Sequence, residues 1–334
     1  MKAIRFHETG GPAVLRYEDV ELGAPKPGEV RVRHTAVGVN FIDTYHRSGL
    51  YKLPLPSGLG SEAAGVVEEL GAGVTSLNRG DRVAYAGTLG AYAEANNVPA
   101  AKLVKLPDGV SDEVAAAAML KGMTVQYLLK RTYPVRKGQT ILFHAAAGGV
   151  GLIAGQWAKH LGVIAIGTVG SDDKIALAQT HGYAHVLKTR GEARGEARGE
   201  AHGEDWVART RALTGGEGVP VVYDSIGKDT WAGSLDCLAV RGMMVSFGNS
   251  SGAVPAFEPG ILSAKGSLYV TRPTLFHYTR TPEELQETAD DLFAVLGSGA
   301  VKVEVHQRFK LADAAKAHEA LHSRQTVGAT ILLP

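Results

Sequence analysis

Thr140 to Gly162 reads TILFHAAAGGVGLIAGQWAKHLG, and the fold is decided there. Thr140 to Ala145 is a short apolar run of the kind that forms a buried strand. Small residues follow at Ala145, Ala146, Ala147, Gly148, Gly149 and Gly151. Val150, Leu152, Ile153, Trp157 and Leu161 then recur at helical spacing. Strand, tight glycine turn and helix together make Ala146-x-Gly148-x-x-Gly151 a candidate dinucleotide fingerprint. Gly148 would let the backbone approach a pyrophosphate, and Gly151 would let the helix lie close to the strand. The free N–H groups at the helix start favour phosphate charge. The plainer alternative is an ordinary strand-to-helix turn.

A second strand follows at once, Val163 to Val169 (VIAIGTV), then Gly170, Ser171 and a helical pattern from Asp173 to Thr180. Strand, helix and strand within about thirty residues form a right-handed βαβ crossover. The tip of this second strand selects the nicotinamide cofactor. An NAD site places an acid there to bind the ribose 2′-OH. Here the tip is Thr168, Val169, Gly170 and Ser171, with Lys174 one turn into the next helix, within reach of a 2′-phosphate. That favours NADPH. Asp172 and Asp173 oppose it by charge, although acids at a helix start also serve as caps.

At 334 residues the chain predicts two domains. A net charge of +1 gives no reason to expect nucleic acid or an anionic membrane as partner. MKAIRFHETG carries no apolar signal core, and no apolar run reaches the length of about eighteen residues that a membrane span needs. The single cysteine, Cys237, falls in a predicted helix Trp231 to Leu238 and reads as a small buried hydrophobe. It can neither close an internal disulfide nor build a zinc site by itself. These features predict a cytoplasmic protein.

Residues 1–123 read as mostly β, with runs at Lys2 to Phe6, Val14 to Asp19, Glu29 to Val39, Ala63 to Leu70, Arg82 to Tyr85 and Ala91 to Asn97. Turn signals separate them, and strands at this spacing predict a small barrel. From Ser111 the period becomes helical, first in an alanine-rich stretch and then in a second helix from about Met123 to Arg131. Residues 124–266 alternate strand and helix, with later strands at Val219 to Asp224 and Gly242 to Phe247. Ser267 to Thr271 reads as a last, edge strand of this alternating region, and the boundary drawn at 266 puts it at the head of a C-terminal segment, 267–334, that returns to the first domain. That segment predicts a helix Pro282 to Leu296, a strand near Val301 to Val305, a helix from Leu311 to Ser323 and a closing strand Gly328 to Leu333. Residues 190–204 (RGEARGEARGEAHGE) are a low-complexity insertion, read as a solvated surface segment.

Two stretches of the first domain stand out. One is Gly38-Val39-Asn40-Phe41-Ile42-Asp43-Thr44-Tyr45; the other is Gly60-Ser61-Glu62-Ala63-Ala64-Gly65, continuing to Gly71-Ala72-Gly73-Val74. With the fingerprint they resemble the medium-chain dehydrogenase/reductase superfamily over essentially the whole chain. Within it the chain is similar to the bacterial NADPH:quinone oxidoreductases related to zeta-crystallin. NFIDTY, RSGLY, PSGLGSEAAG, LKGMTV, VVYDSIG, VSFGNSSG and GSLYVTRP carry this second likeness beside the fingerprint. The resemblance implies an α/β chain with a GroES-like β-barrel catalytic domain and a Rossmann doubly wound parallel sheet. It implies NADPH-dependent reduction of quinones by hydride transfer without metal. Zinc alcohol dehydrogenases of the superfamily hold their metal with a cysteine and a histidine where Asn40 and Ser61 stand here, and neither is a good zinc ligand. Without a Lewis acid, reduction of an electrophilic acceptor is easier than oxidation of an alcohol.

The resemblance also implies site residues. Asn40, Tyr45 and Asp43 are the catalytic candidates. Asn40 and Tyr45 would contact nicotinamide, quinone oxygen or both, and Asp43 would orient its neighbours. The alternative for Asn40 and Tyr45 is structural hydrogen bonding at a strand end. The whole stretch Asn40, Phe41, Ile42, Asp43, Thr44 and Tyr45 counts among the cofactor contacts. Thr124 and Tyr127 would lie beside the nicotinamide and its ribose, and Gly148, Gly149 and Val150 would hold the pyrophosphate. Gly170, Ser171 and Lys174 would take the 2′-phosphate end, and Ile226 would contact through its backbone. Phe247, Gly248, Asn249, Ser250, Arg272 and Pro273 would line the site, and Arg324 would pair with phosphate. Thr189 stands where close relatives carry a tyrosine, which leaves any contact from that place open. A homodimer through the strand 267–271 is implied as well. The alternatives are a reductase of α,β-unsaturated carbonyls and, from another class, an RNA-binding or structural role as in zeta-crystallin relatives. The near-neutral charge argues against RNA.

Overall fold

The computed structural model describes residues 1–189, 205–323 and 326–334. The repeat 190–204 and Arg324 lie outside the described residues. The chain divides into two compact units, Met1–Met123 with Leu275–Pro334, and Thr124–Thr274.

The first unit begins with β1 (Lys2–Phe6), β2 (Arg16–Asp19), β3 (Glu29–Gly38), α1 (Phe41–Ser48), β4 (Ser57–Gly58), β5 (Glu62–Leu70), β6 (Arg82–Ala86), β7 (Ala95–Pro99), β8 (Val104–Lys105) and α2 (Asp112–Tyr127). β3 is its spine. Its inward residues Val30, Val32, His34 and Ala36 alternate with more exposed neighbours, as a half-buried strand requires. It pairs antiparallel with β5 and β7. β1 forms a separate small sheet between β2 and β4.

One helix, α2, replaces the two predicted around Met123. Gly122 looks like a helix break in sequence, but a Cβ there would collide with the Leu292 side chain, so glycine serves close packing and the helix runs through it. The backbone then widens into a π-turn over Leu128–Thr132.

The second unit carries β9 (Thr140–Phe143), α3 (Gly149–His160), β10 (Ile164–Val169), α4 (Ile175–Thr180), β11 (His185–Lys188), α5 (Trp206–Leu213), β12 (Val219–Asp224), α6 (Trp231–Asp236), β13 (Leu238–Ser246), α7 (Gly260–Ala264) and β14 (Tyr269–Thr271). All six strands are parallel, in the order β11-β10-β9-β12-β13-β14. That is a Rossmann sheet, whose strand order reverses between β9 and β12. β14 pairs with β13 (Met244 opposite Val270), so residues 267–274 close this unit rather than opening the C-terminal segment. Cys237 is buried, as its apolar setting requires, but it caps α6 instead of lying inside it.

The chain then returns through α8 (Leu275–Tyr278), α9 (Pro282–Gly297), β15 (Val305–Lys310), α10 (Ala314–His322) and β16 (Ala329–Leu333). β16 pairs antiparallel with β3 and parallel with β15, giving the order β15-β16-β3-β5-β6-β8. The predicted strand at Val301 to Val305 starts later. Val301 is buried and its N–H bonds the Val295 carbonyl, closing the end of α9. Leu311, Ala314, Leu321 and Leu332 join Phe6, Val32, Leu59 and Tyr92 in one core, which holds the returning segment on the first unit.

Candidate active site

In the first unit the candidate residues gather at the start of α1. Asn40 is buried at its N-cap. Its backbone N–H donates to Asp43 Oδ2 at 2.8 Å, and its side-chain amide donates to Glu62 Oε2 at 2.8 Å. Glu62 is fully buried and also accepts from Leu120 N–H at 2.7 Å and Lys121 Nζ at 3.2 Å. A Cβ at Gly38 would collide with this carboxylate and with the Ala116 carbonyl, so Gly38 makes its room. The Asn40 amide is therefore locked by a charge-assisted hydrogen bond on a buried ion pair. The Tyr45 ring meets Tyr51 edge-on at 5.3 Å.

A second polar chain leaves the same turn. Asp43 Oδ2 accepts from the Tyr92 hydroxyl at 3.1 Å, Tyr92 lies 3.0 Å from His318 Nε2, and His318 Nδ1 lies 3.1 Å from Arg47 Nη1. Arg47 donates only, so His318 Nδ1 accepts and its Nε2–H donates to Tyr92. Burial pushes the Asp43 carboxyl up to about 7, and burial together with the Arg47 charge holds His318 down near 3. Glu62, Lys121, Tyr92, Arg47 and His318 were not singled out from sequence. Glu62 and Lys121 do carry a signal, each a lone charge in an apolar run (Ser61-Glu62-Ala63-Ala64 and Met119-Leu120-Lys121-Gly122-Met123).

In the second unit the predicted cofactor loops all follow the carboxyl ends of parallel strands, where α/β sheets bind ligands. The fingerprint follows β9. Ala145 holds a left-handed φ of 55°, unusual for a residue with a side chain. Gly148 is the extended N-cap of α3, and Leu152 N–H is the first to reach a helical carbonyl, that of Gly148 at 2.9 Å. The N–H groups of Gly149, Val150 and Gly151 precede that bond and so suit an anion. A Cβ at Gly151 would collide with the backbone of Ala145 and Ala146, which is why the helix can lie so near the strand.

Gly170, Ser171 and Lys174 follow β10, and open space surrounds Gly170. The charge of Asp172, which opposed a 2′-phosphate on paper, is paired with Lys188 Nζ at 2.9 Å. Ile226 follows β12, its N–H donating to Asp224 Oδ1 at 2.7 Å. Phe247, Gly248, Asn249 and Ser250 follow β13. Arg272 and Pro273 follow β14, with Arg272 donating to the Ser246 carbonyl at 3.0 Å. Thr124 and the buried Tyr127 stand on the last turns of α2. The candidates thus form two groups, one on each unit: Asn40, Phe41, Ile42, Asp43, Thr44 and Tyr45 on α1 and its cap, and the strand-end loops with Thr124 and Tyr127. Asp43 and Thr44 point into the core, and Phe41 is exposed.

Residues 26–108 match the alcohol dehydrogenase GroES-like domain family, and residues 149–294 match the zinc-binding dehydrogenase family. A zinc site does not fit the donors present. The Asn40 amide is committed to Glu62, and no group of three or more His, Cys, Asp or Glu that could hold a metal ion occurs among the described residues. The chain is 57% identical to the quinone oxidoreductase of Pseudomonas aeruginosa, over 100% of this chain and 99% of that one. The crystal structure of Escherichia coli quinone oxidoreductase complexed with NADPH superposes with a TM-score of 0.94 at 51% identity, covering 100% of both chains. The 2-haloacrylate reductase of a Burkholderia species is 44% identical, over 98% of each chain. Identity at this level along the full length, on a shared two-unit fold, places the chain in the quinone oxidoreductase family of the medium-chain dehydrogenases/reductases.

Proposed function

We propose that this protein reduces quinones with NADPH, by hydride transfer and without metal. The observation that carries the reading is the full-length match to a quinone oxidoreductase complexed with NADPH. The glycine turn at the N-terminus of α3 fits a pyrophosphate, and the pairing of Asp172 with Lys188 weakens the charge objection to a 2′-phosphate, to which Asp173 still contributes. NADPH, when bound, supplies the hydride. In this reading the N–H groups of Gly149 and Val150 take the pyrophosphate. Gly170, Ser171 and Lys174 hold the 2′-phosphate, and Ile226 contacts the nucleotide through its backbone. Thr124, Tyr127, Phe247, Gly248, Asn249, Ser250, Arg272 and Pro273 shape the rest. Asn40, locked by Glu62, orients the nicotinamide. Tyr45 gives a hydrogen bond to the oxygen that gains charge on reduction, and protons come from solvent. Asp43 acts on Asn40 from behind, through its backbone N–H.

β14 is an edge strand whose Tyr269 is 58% exposed, and Val240 on the neighbouring β13 is 75% exposed. An apolar free edge invites a strand partner, and we read it as the contact of a homodimer. No helix among the described residues is long and apolar enough to cross a membrane, in keeping with the cytoplasmic setting we assign.

The test is NADPH consumption with 1,4-benzoquinone, a bulkier naphthoquinone and an α,β-unsaturated acid, with NADH as control. Fast NADPH-specific turnover of the quinones supports the reading. Turnover of the unsaturated acid alone moves the function to the second reading, which the 44% identical 2-haloacrylate reductase favours.

A further inference from the structure

A fully buried histidine, His144, stands directly before the fingerprint, and no step above uses it. Its Nδ1 lies 2.8 Å from Thr168 Oγ1 and its Nε2 lies 2.9 Å from Ser234 Oγ. Ser234 donates its proton to Asp224 Oδ2 at 2.9 Å. The Ser234 oxygen must then accept from His144, which fixes the proton on Nε2 and leaves Nδ1 to accept from the Thr168 hydroxyl. Asp224 takes a second hydroxyl, from Thr230 at 2.7 Å, and two backbone N–H groups, from Ile226 at 2.7 Å and Gly227 at 3.0 Å. Every donor and acceptor in the chain from Thr168 to Asp224 is matched.

Three members of this chain are the roots of three cofactor loops. His144 precedes Ala145–Val150. Thr168 precedes Gly170 by two residues and Ser171 by three, and its carbonyl accepts the Ala146 N–H at 2.8 Å. Asp224 precedes Ser225–Gly227 and holds two N–H groups of that loop. Backbone pairing sets β9, β10 and β12 side by side. Beyond the strand ends the Ala146 N–H bond ties the first loop to β10, while the hydrogen-bond chain through His144 and Ser234 ties both to the Asp224 loop. Trp206 meets the imidazole edge-on at 5.0 Å, so the ring is held on its apolar side too.

We propose that His144, as a neutral Nε2–H imidazole, is a positioning residue that locks the pyrophosphate, 2′-phosphate and Ile226 loops into one preformed NADPH cradle through Thr168, Ser234 and Asp224. This rests on the NADPH reading. The inference assigns His144 no contact with the cofactor and no proton transfer.

The experiment is equilibrium titration of the full chain with NADPH, followed by fluorescence, with thermal melting alongside. Wild type must bind NADPH; if it does not, the cofactor reading fails before the inference is reached. His144→Leu is expected to weaken NADPH binding about tenfold. His144→Gln, which keeps a donor toward Ser234, is expected to recover part of that loss. In steady state the loss falls on kcat/KM for NADPH and not on the KM for quinone at saturating NADPH. The decisive readout is coupling. Thr168 and Ser234 have no hydrogen bond to each other and meet only through the imidazole. Thr168→Val and Ser234→Ala are therefore expected to raise the NADPH Kd by a smaller factor together than the product of the two single factors. These two variants remove one hydroxyl or its equivalent each, and they carry the test if His144→Leu yields no folded protein. A lowered melting temperature with unchanged NADPH Kd makes His144 a prop of the fold and overturns the proposal. Single effects that multiply independently overturn it as well.

Discussion

Each unit buries one aspartate completely, and the two are treated differently. Asp224, at the end of β12, accepts four hydrogen bonds, two on each oxygen. Asp43, in the first turn of α1, accepts two, from Asn40 N–H and the Tyr92 hydroxyl, both on Oδ2. Its Oδ1 is buried without a partner. Burial penalises a charge, and only hydrogen bonds and opposite charges offset that penalty. Asp224 has its compensation in full from loops that must be rigid. Asp43 does not, and its carboxyl rises to about 7. In the proposed function these become a preformed anion cradle and an ionisable group behind the candidate nicotinamide contact, two solutions to burying the same side chain.

Removing the two carboxyls should separate them. Asp224→Ala leaves two N–H groups and the Ser234 hydroxyl without an acceptor and the Thr230 hydroxyl with only the Gly227 carbonyl at 3.4 Å, and should cost about 5 kcal/mol. Asp43→Ala leaves two donors and should cost roughly half as much. Urea unfolding at pH 8 reads both. Equal losses would mean that hydrogen-bond satisfaction is not what distinguishes the two sites.

Acidity sharpens the contrast. Between its ordinary value of 3.8 and about 7, Asp43 holds a proton in the folded state that the unfolded chain has lost. The folded state is thus favoured at low pH, and this contribution falls as pH rises through that window, by up to about 4 kcal/mol. His34 and His318 act in the opposite sense. Burial holds them near 4 and 3, so the unfolded state takes their protons first and stability falls as pH drops below 6.5. The wild-type curve mixes both trends, so the measurement is the difference between wild type and Asp43→Asn. The variant should gain on wild type from pH 4 to about pH 7 and level off above it. A constant offset would show that Asp43 does not titrate in that range.

The two units also differed in how far they could be read from sequence. The second repeats strand, loop and helix at short range, so periodicity and the glycine turn locate five of its six strands and the loops that follow them, while the short edge strand β11 (His185–Lys188) escapes both. Among the predicted strands only boundaries moved: β13 begins at Leu238, ahead of the predicted Gly242, and runs through Arg241 at a φ of 61°. In the first unit α1 was missed as a helix. Its buried face is Asp43, Thr44 and Arg47, so the apolar periodicity that marks a helix is inverted. Its partners were equally hidden, since Arg47 meets His318 across 271 residues and no local pattern announces such a pair. Polar burial is where the candidate site departs from the rule that makes folds legible.

The smallest expected effect concerns Lys188, which stands at the end of β11 opposite Val169 and pairs with Asp172 at 2.9 Å. The Asp172 carboxylate is 60% exposed, so the pair contributes little to stability, and Lys188→Ala should leave the melting temperature within about a degree. Its effect should appear only in the choice of cofactor. Without Lys188, the Asp172 carboxylate stands uncompensated beside Asp173 at the strand tip, where a 2′-phosphate would be repelled and a 2′-hydroxyl would not. NADPH affinity should fall by about threefold and NADH affinity should hold. Adding Asp172→Asn should restore NADPH binding, because the repelling charge is then gone. Parallel losses for both cofactors would mean that Lys188 supports the loop and not the discrimination. The nucleotide preference would then rest on Lys174 and its neighbours alone.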